Sequence, residues 1–209
     1  ETVTVEMDLK VVQLSYLHDH VIQGLHILPG AAFLESACES FTLMDRKIIE
    51  NAVMTNLVFK SALVLNPETT SMSFSINRIS GEFWASTKRD IHFGGLYSLA
   101  ASGEDDSEQH HSCRQKVFRP CNVVELYEKL SVLGLQYGKA FKLLQDLWLG
   151  EKLTAVGKIH SSPQSNDYLH DPAVLDAALH VVAGRALVCK TERGETVSYT
   201  HLTLPTTSF

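Results

Sequence analysis

Residues 17–35 read LHDHVIQGLHILPGAAFLE, with three histidines (His18, His20, His26), two glycines and a proline ahead of a run of small and apolar residues. His20, Gly24 and Pro29 follow the spacing H-x-x-x-G-x-x-x-x-P. Proline suits the start of a helix, where its missing N–H would have no intrahelical partner. The pattern therefore predicts a helix from Gly30 to about Leu43, over GAAFLESACESFTL. Small and apolar residues lie on most of its faces, as in a helix enclosed by other elements. Its free first-turn N–H groups would favour a partial negative charge, such as that on a carbonyl oxygen. Gly24 allows a turn or a close backbone approach that a side chain would block, which could hold His20 facing a narrow cavity.

Outward from this stretch, Val3, Val5, Met7, Leu9 and Val11 alternate with Thr2, Thr4, Glu6, Asp8 and Lys10, the period of a half-buried strand. After the helix come NLVFKSALVL, SMSFSINRI and GEFWASTKRDIHFGGLYSLAAS, separated by the turn signals NPETT and SGE. One helix followed by an antiparallel meander suggests a sheet wrapped around that helix. Residues 1–100 form this first unit, and the polar, turn-prone residues 101–121 read as a linker.

A second unit spans residues 122–196. Asn122 with Glu125 resembles a capping box, Leu126, Leu130 and Leu133 keep helical spacing, and Gly134 suits the helix stop. Leu153, Ala155, Gly157 and Ile159 alternate as a strand, and DPAVLDAALHVVAGRAL reads as a second buried helix. The fold class is α+β: a sheet wrapped around a central helix, and then the same plan again.

With 209 residues, 44% of them hydrophobic and 20% charged, the chain can bury a sizeable core. A formal charge of −6 without clustered Lys and Arg argues against a nucleic-acid partner. No apolar run approaches the length of a membrane span and no export signal is visible, so a membrane partner is not expected. Four separated cysteines imply neither a disulfide framework nor a zinc ribbon, which fits a reducing cytoplasm. His110, His111, Cys113 and Cys121 offer soft ligands, but their spacing matches no common zinc pattern, and no metal site is expected.

Asp176 and His180 stand four apart and so share a helix face. Surrounded by Ala, Val and Leu, the Asp176 carboxyl would have its charged form disfavoured, which suits an acid. With His20 as base, the pair would be suited to removing a proton and a hydroxyl from neighbouring carbons. From the residues alone the bland readings are the commoner ones. A histidine near a helix start is often structural, and an Asp and a His at this spacing often simply bond each other.

LHDHVIQGLHILPGAAFLE, LGLQYGKAF and DPAVLDAALH resemble, in order, the signatures of the dehydratase domain of modular polyketide synthases and animal-type fatty acid synthases. IHFGG resembles a further element of that family, and the likeness runs from about residue 5 to about residue 190. The resemblance implies a double hotdog fold. It also implies elimination of water from a β-hydroxyacyl thioester on an acyl carrier protein, giving the α,β-unsaturated thioester.

On the matching positions, His20 is implied as the base and Asp176 as the acid. His180 would hold the hydroxyl or orient Asp176, and Tyr137 would lie by the substrate. Gly138 and Phe141 would shape the pocket, and the first-turn N–H groups near Gly30 would polarise the thioester carbonyl. Gly24 and Pro29 belong to the structural motif. No cofactor or metal is implied beyond the phosphopantetheine arm that carries the substrate. Partners would be the carrier protein and the other domains of the same synthase, in a homodimeric cytoplasmic parent. His18 and His26 flank the signature as loop or surface residues, and His92 is expected to fix a strand or turn.

Where the family usually has His directly before the Pro of its last signature, Asp171 stands here and His170 is displaced by one. That departure leaves open how the second helix is capped. The same catalytic pair would also serve a double-hotdog cyclase or isomerase, and a silent structural hotdog is a third reading. Finally, VSYTHLTLPTTSF at residues 197–209 looks like translated sequencing-adapter sequence. The second hotdog is accordingly expected to be truncated, and the isolated fragment to be poorly soluble and inactive.

Overall fold

In the computed structural model, residues 1–44, 52–99, 119–151, 154–163 and 167–192 are described. Strand β1 (Thr2–Asp8) keeps the sequence alternation, with Val3, Val5 and Met7 half-buried between exposed neighbours. It ends three residues earlier than the pattern predicts, because the Asp8 carboxylate accepts the Lys10 N–H at 2.8 Å and turns the chain. A 3₁₀ helix (Val12–Asp19) then leads into a short hairpin, β2 (His20–Ile22) and β3 (Leu25–His26).

Helix α1 (Gly30–Met44) follows, as the Pro29–Gly30 pattern predicts. Ala31, Ala32, Phe33, Ala37, Cys38 and Phe41 are all buried. Strands β4 (Ala52–Phe59), β5 (Ser71–Asn77), β6 (Glu82–Ser86) and β7 (Ile91–Leu99) join β1 in one antiparallel sheet of order β1-β5-β6-β7-β4. Phe41 of α1 meets Phe74 and Phe83 edge-on, at 6.1 and 5.6 Å between ring centroids. Such aromatic pairs contribute about 0.5–1.5 kcal/mol each beyond the area they bury.

The run NLVFKSALVL is not one strand. At Lys60 and Ser61 the backbone N–H groups turn to the His92 carbonyl, at 2.7 and 3.4 Å, and the chain leaves the sheet. Its second half instead lies along the segment leading to Pro29, with Leu28 N–H bonded to Leu63 O and Leu65 N–H to His26 O. His92 is a buried tie between strands, with Nδ1 3.0 Å from Ser61 Oγ and Nε2 3.1 Å from Thr87 Oγ1.

The second unit begins earlier than the sequence suggests, since Arg119–Cys121, read as the end of a linker, form strand β8. Cys121 therefore sits in a sheet, whereas His110, His111, Cys113 and the rest of the linker lie outside the described residues, as do residues 197–209. Helix α2 (Val123–Val132) is capped by Asn122, whose Oδ1 accepts the Val124 and Glu125 N–H groups. The Glu125 carboxylate pairs with Lys129 at 2.7 Å. Strands β9 (Leu135–Tyr137), β10 (Leu144–Leu149) and β11 (Ala155–Ile159) and helix α3 (Pro172–Glu192) complete the described fold. β10 is flanked by β8 and β11, and Leu147 of β10 packs in one core with Leu126 and Leu130 of α2 and Leu187 of α3.

Two features join the units. β9 pairs with β2 rather than with its own unit's sheet. The first turns of α3 bring Ala173 and Ala177 into the same buried cluster as Ala32, Phe33 and Phe41 of α1. Among the described residues, no helix is long and apolar enough to cross a membrane.

Candidate active site

His20 is held from several directions. It closes the 3₁₀ helix, with its N–H on Leu17 O, and its own carbonyl accepts the Ile27 N–H at 3.0 Å. Its ring Nδ1 lies 2.8 Å from Ile27 O. A carbonyl only accepts, so Nδ1 carries the hydrogen and Nε2 is left with a lone pair when the ring is neutral. Burial, with the residue only 4% exposed, pushes its pKa below the ordinary 6.5, and the nearby Asp176 opposes that shift. The result is a fixed, neutral imidazole whose free nitrogen points to the interior.

What Nε2 faces is Asp176, with Oδ1 4.0 Å away. Asp176 sits in the second turn of α3, and two carboxylates set where that helix begins. The Asp171 Oδ1 accepts the Ala173 N–H at 2.8 Å, so the residue that departs from the family pattern serves as the cap. Glu35, on α1, accepts the Leu169 and His170 N–H groups on its two oxygens, at 2.7 and 2.8 Å. This tie fastens the start of α3 to the helix that follows the His20 hairpin. Burial raises the Glu35 pKa, while the two N–H donors lower it.

His180, one turn beyond Asp176, places Nε2 3.0 Å from Asp176 Oδ2. The two are close but poorly aligned, and neither atom has a satisfactory hydrogen-bond partner. Both are buried polar atoms aimed at one small volume, an arrangement that costs free energy unless a further polar group enters. On its other side His180 Nδ1 meets the Tyr127 hydroxyl at 3.2 Å.

The remaining wall comes from LGLQYGKAF. Tyr137 is the register partner of His20 across β2–β9, and its ring lies 5.5 Å from His20 and 4.3 Å from His180. Burial raises its pKa, so its hydroxyl keeps its proton. Phe141, fully buried, stands 5.4 Å from the His20 ring. Gly138 acts through a neighbour: its N–H bonds to Asp19 O at 2.7 Å, and an added Cβ would lie 2.6 Å from both Asp19 carboxylate oxygens. Asp19 Oδ2 also accepts the Ala140 N–H at 2.9 Å, so the residue next to His20 anchors the loop that carries Tyr137 and Phe141.

Of the residues singled out in the sequence, His20, Tyr137, Phe141, Asp176 and His180 converge. Gly24 lies apart, at the hairpin tip, with φ +79 beside Gln23 at φ +50. Nothing lies within 4 Å of an added Cβ there, so its role is the turn rather than a close approach. Pro29 and Gly30 start α1, where the Ala32 N–H is bonded to Pro29 O and an added Cβ on Gly30 would touch the Phe59 ring at 3.3 Å. His18 and His26 are exposed and bond to backbone carbonyls. Sequence reasoning missed Asp19, Glu35 and Tyr127. Glu35, one of two carboxylates in the apolar α1, and a hydroxyl within the leucine stripe of α2 were the available signals, since buried polar groups need partners.

Residues 1–85 match the family model described as polyketide synthase dehydratase domain. Residues 105–198 match the one described as polyketide synthase dehydratase N-terminal domain. The spectinabilin polyketide synthase system protein NorA′ of Streptomyces orinoci is 43% identical over 186 residues, which cover 80% of this chain and 5% of that protein. The chain spans only 3% to 9% of the length of the polyketide synthases it matches.

Among solved structures, the dehydratase domain of PpsC from Mycobacterium tuberculosis in complex with C12:1-CoA superposes with a TM-score of 0.72 at 19% identity, over 90% of this chain and 70% of that one. An inactive Asp-to-Asn mutant of the CurK dehydratase superposes with a TM-score of 0.66 at 20% identity, over 88% of this chain and 68% of that one. The fold is thus that of the double-hotdog dehydratase domains, and the chain belongs to the polyketide synthase dehydratase domain family.

Proposed function

We propose that this site removes water from a β-hydroxyacyl thioester presented on the phosphopantetheine arm of an acyl carrier protein, within a larger polyketide synthase. The observation that carries the reading is the buried pair of His20 Nε2 and Asp176 Oδ1, 4.0 Å apart, one from each unit. The His20 lone pair takes the α proton, and the electrons of that C–H bond form the new double bond as the Cβ–O bond breaks. Asp176 gives a proton to the departing hydroxyl, which leaves as water. His20 then holds one proton more and Asp176 one fewer, and transfer between them across the site restores the starting state.

The remaining residues are assigned to positioning. His180 Nε2 and Asp176 Oδ2, 3.0 Å apart, would both face the substrate hydroxyl, with the Tyr137 ring 4.3 Å from that of His180. The first-turn N–H groups of α1 at Gly30 and Ala31 would receive the thioester oxygen and stabilise the developing enolate. The reaction is redox-neutral, and its proton accounting closes on the two side chains. An inactive mutant in which Asp becomes Asn is described for the CurK dehydratase, in keeping with an essential acid in this fold.

The test is product identity. The native polypeptide that carries these residues is incubated with a 3-hydroxyacyl pantetheine thioester, and the near-ultraviolet absorbance of the conjugated thioester is followed. Growth of that band supports the reading, whereas a cyclised product or a deconjugated isomer as the first product would refute it.

A further inference from the structure

Tyr127, on α2, borders His180 at Nδ1, the ring nitrogen other than the one that faces Asp176. Its hydroxyl makes two contacts. The oxygen accepts the Leu144 N–H at 3.3 Å, and the same group lies 3.2 Å from His180 Nδ1. An N–H can only donate, so the lone pair facing Leu144 is committed and the phenol's own hydrogen is free to point at His180. Burial holds the Tyr127 pKa up to about 12, so that hydrogen is present throughout the neutral range. Donation to Nδ1 makes Nδ1 the acceptor, which leaves the hydrogen of neutral His180 on Nε2, the nitrogen 3.0 Å from Asp176 Oδ2.

We infer that Tyr127 is a positioning residue that fixes His180 as the Nε2–H tautomer, so that a donor always faces the Asp176 carboxylate and the departing hydroxyl. Without it, the Nδ1–H tautomer would leave Nε2 with a lone pair and no hydrogen to offer the departing hydroxyl. The ring packing agrees: Tyr127 and His180 meet edge-on at 5.5 Å and 88°, which holds the imidazole plane while the hydroxyl sets its protons. Leu144 begins β10, so the sheet of the second unit anchors the phenol through a backbone group.

The inference rests on the dehydratase reading, and a double-mutant cycle in the native polypeptide tests it. Tyr127→Phe keeps the ring and deletes the hydroxyl. It should lower kcat for the 3-hydroxyacyl thioester about 10-fold or more, with KM unchanged. Glutamine at position 180 places its amide near Nε2 and has no tautomer to choose. In the His180→Gln background the same Tyr127→Phe change should therefore cost less than about 2-fold. Equal losses in the two backgrounds would mean that Tyr127 only packs, and would overturn the inference, as would no loss beside His180. If Tyr127→Phe fails to fold, nitrogen NMR of histidine-labelled wild-type protein decides: neutral His180 should carry its hydrogen on Nε2, and a hydrogen on Nδ1 overturns the inference. Wild-type protein without any turnover would instead count against the dehydratase reading itself.

Discussion

His20 and Tyr137 are direct register partners across the β2–β9 pair, although 117 positions separate them and each belongs to a different unit. This three-residue pairing joins the two units at the site. It sets His20 of one unit against Tyr137 of the other, and Asp19 secures it by holding the Gly138 and Ala140 N–H groups.

Gly138→Ala should therefore damage the site without touching the substrate. The new methyl group would press on the Asp19 carboxylate, and relief requires the loop or Asp19 to move. A loss of about 1–3 kcal/mol in urea unfolding is expected, with a fall in kcat as Tyr137 and Phe141 shift. Unchanged stability would show that Asp19 gives way freely.

Glu35→Gln tests the tie between α1 and the start of α3. One amide oxygen can still accept a backbone N–H, but the amide nitrogen cannot accept the other. The change should cost about 1–3 kcal/mol, measured by thermal or denaturant unfolding. A variant as stable as wild type would show that the Leu169 and His170 N–H groups find other partners.

Activity should depend on pH through His20. Only neutral imidazole can take the α proton, and burial depresses its pKa below 6.5. The acid limb of kcat/KM should accordingly lie below pH 6.5. Stability follows the same sign: below 6.5 the unfolded chain binds a proton that the folded one resists, so stability falls as pH drops toward the folded value. His92, also lowered by burial, adds to that loss. An acid limb above pH 6.5 would contradict the assignment.

Local features of the sequence reported themselves well, because each rests on nearest neighbours. The alternation of β1, the Pro29–Gly30 start of α1, the Asn122 cap and the i,i+4 pair on α3 all depend on a few adjacent residues. Less legible were contacts between distant segments. The run NLVFKSALVL leaves its sheet just after the Lys60–His92 rung, where the Ser61 N–H doubles onto the same carbonyl, and β9 pairs with β2 across more than a hundred residues. Neither leaves a mark in the local pattern. The two short strands offer too few alternating positions to announce their partners. Glu35 and Tyr127 were hidden for the opposite reason, since each sits in a helix whose apolar pattern reads correctly without it.

The Asn122 cap offers a plain check of that local reading. Asn122→Ala removes the acceptor for the Val124 and Glu125 N–H groups and should cost about 1 kcal/mol while leaving kcat unchanged.

The most direct measurement is the initial rate of conjugated-thioester formation by wild type, His20→Ala and Asp176→Asn in the native polypeptide, with folding checked by circular dichroism. Loss of one positioned acid or base costs about 100- to 10,000-fold, so each variant should fall by at least the lower figure with its fold intact. A near-normal rate in either variant would contradict the pairing of His20 and Asp176 as base and acid.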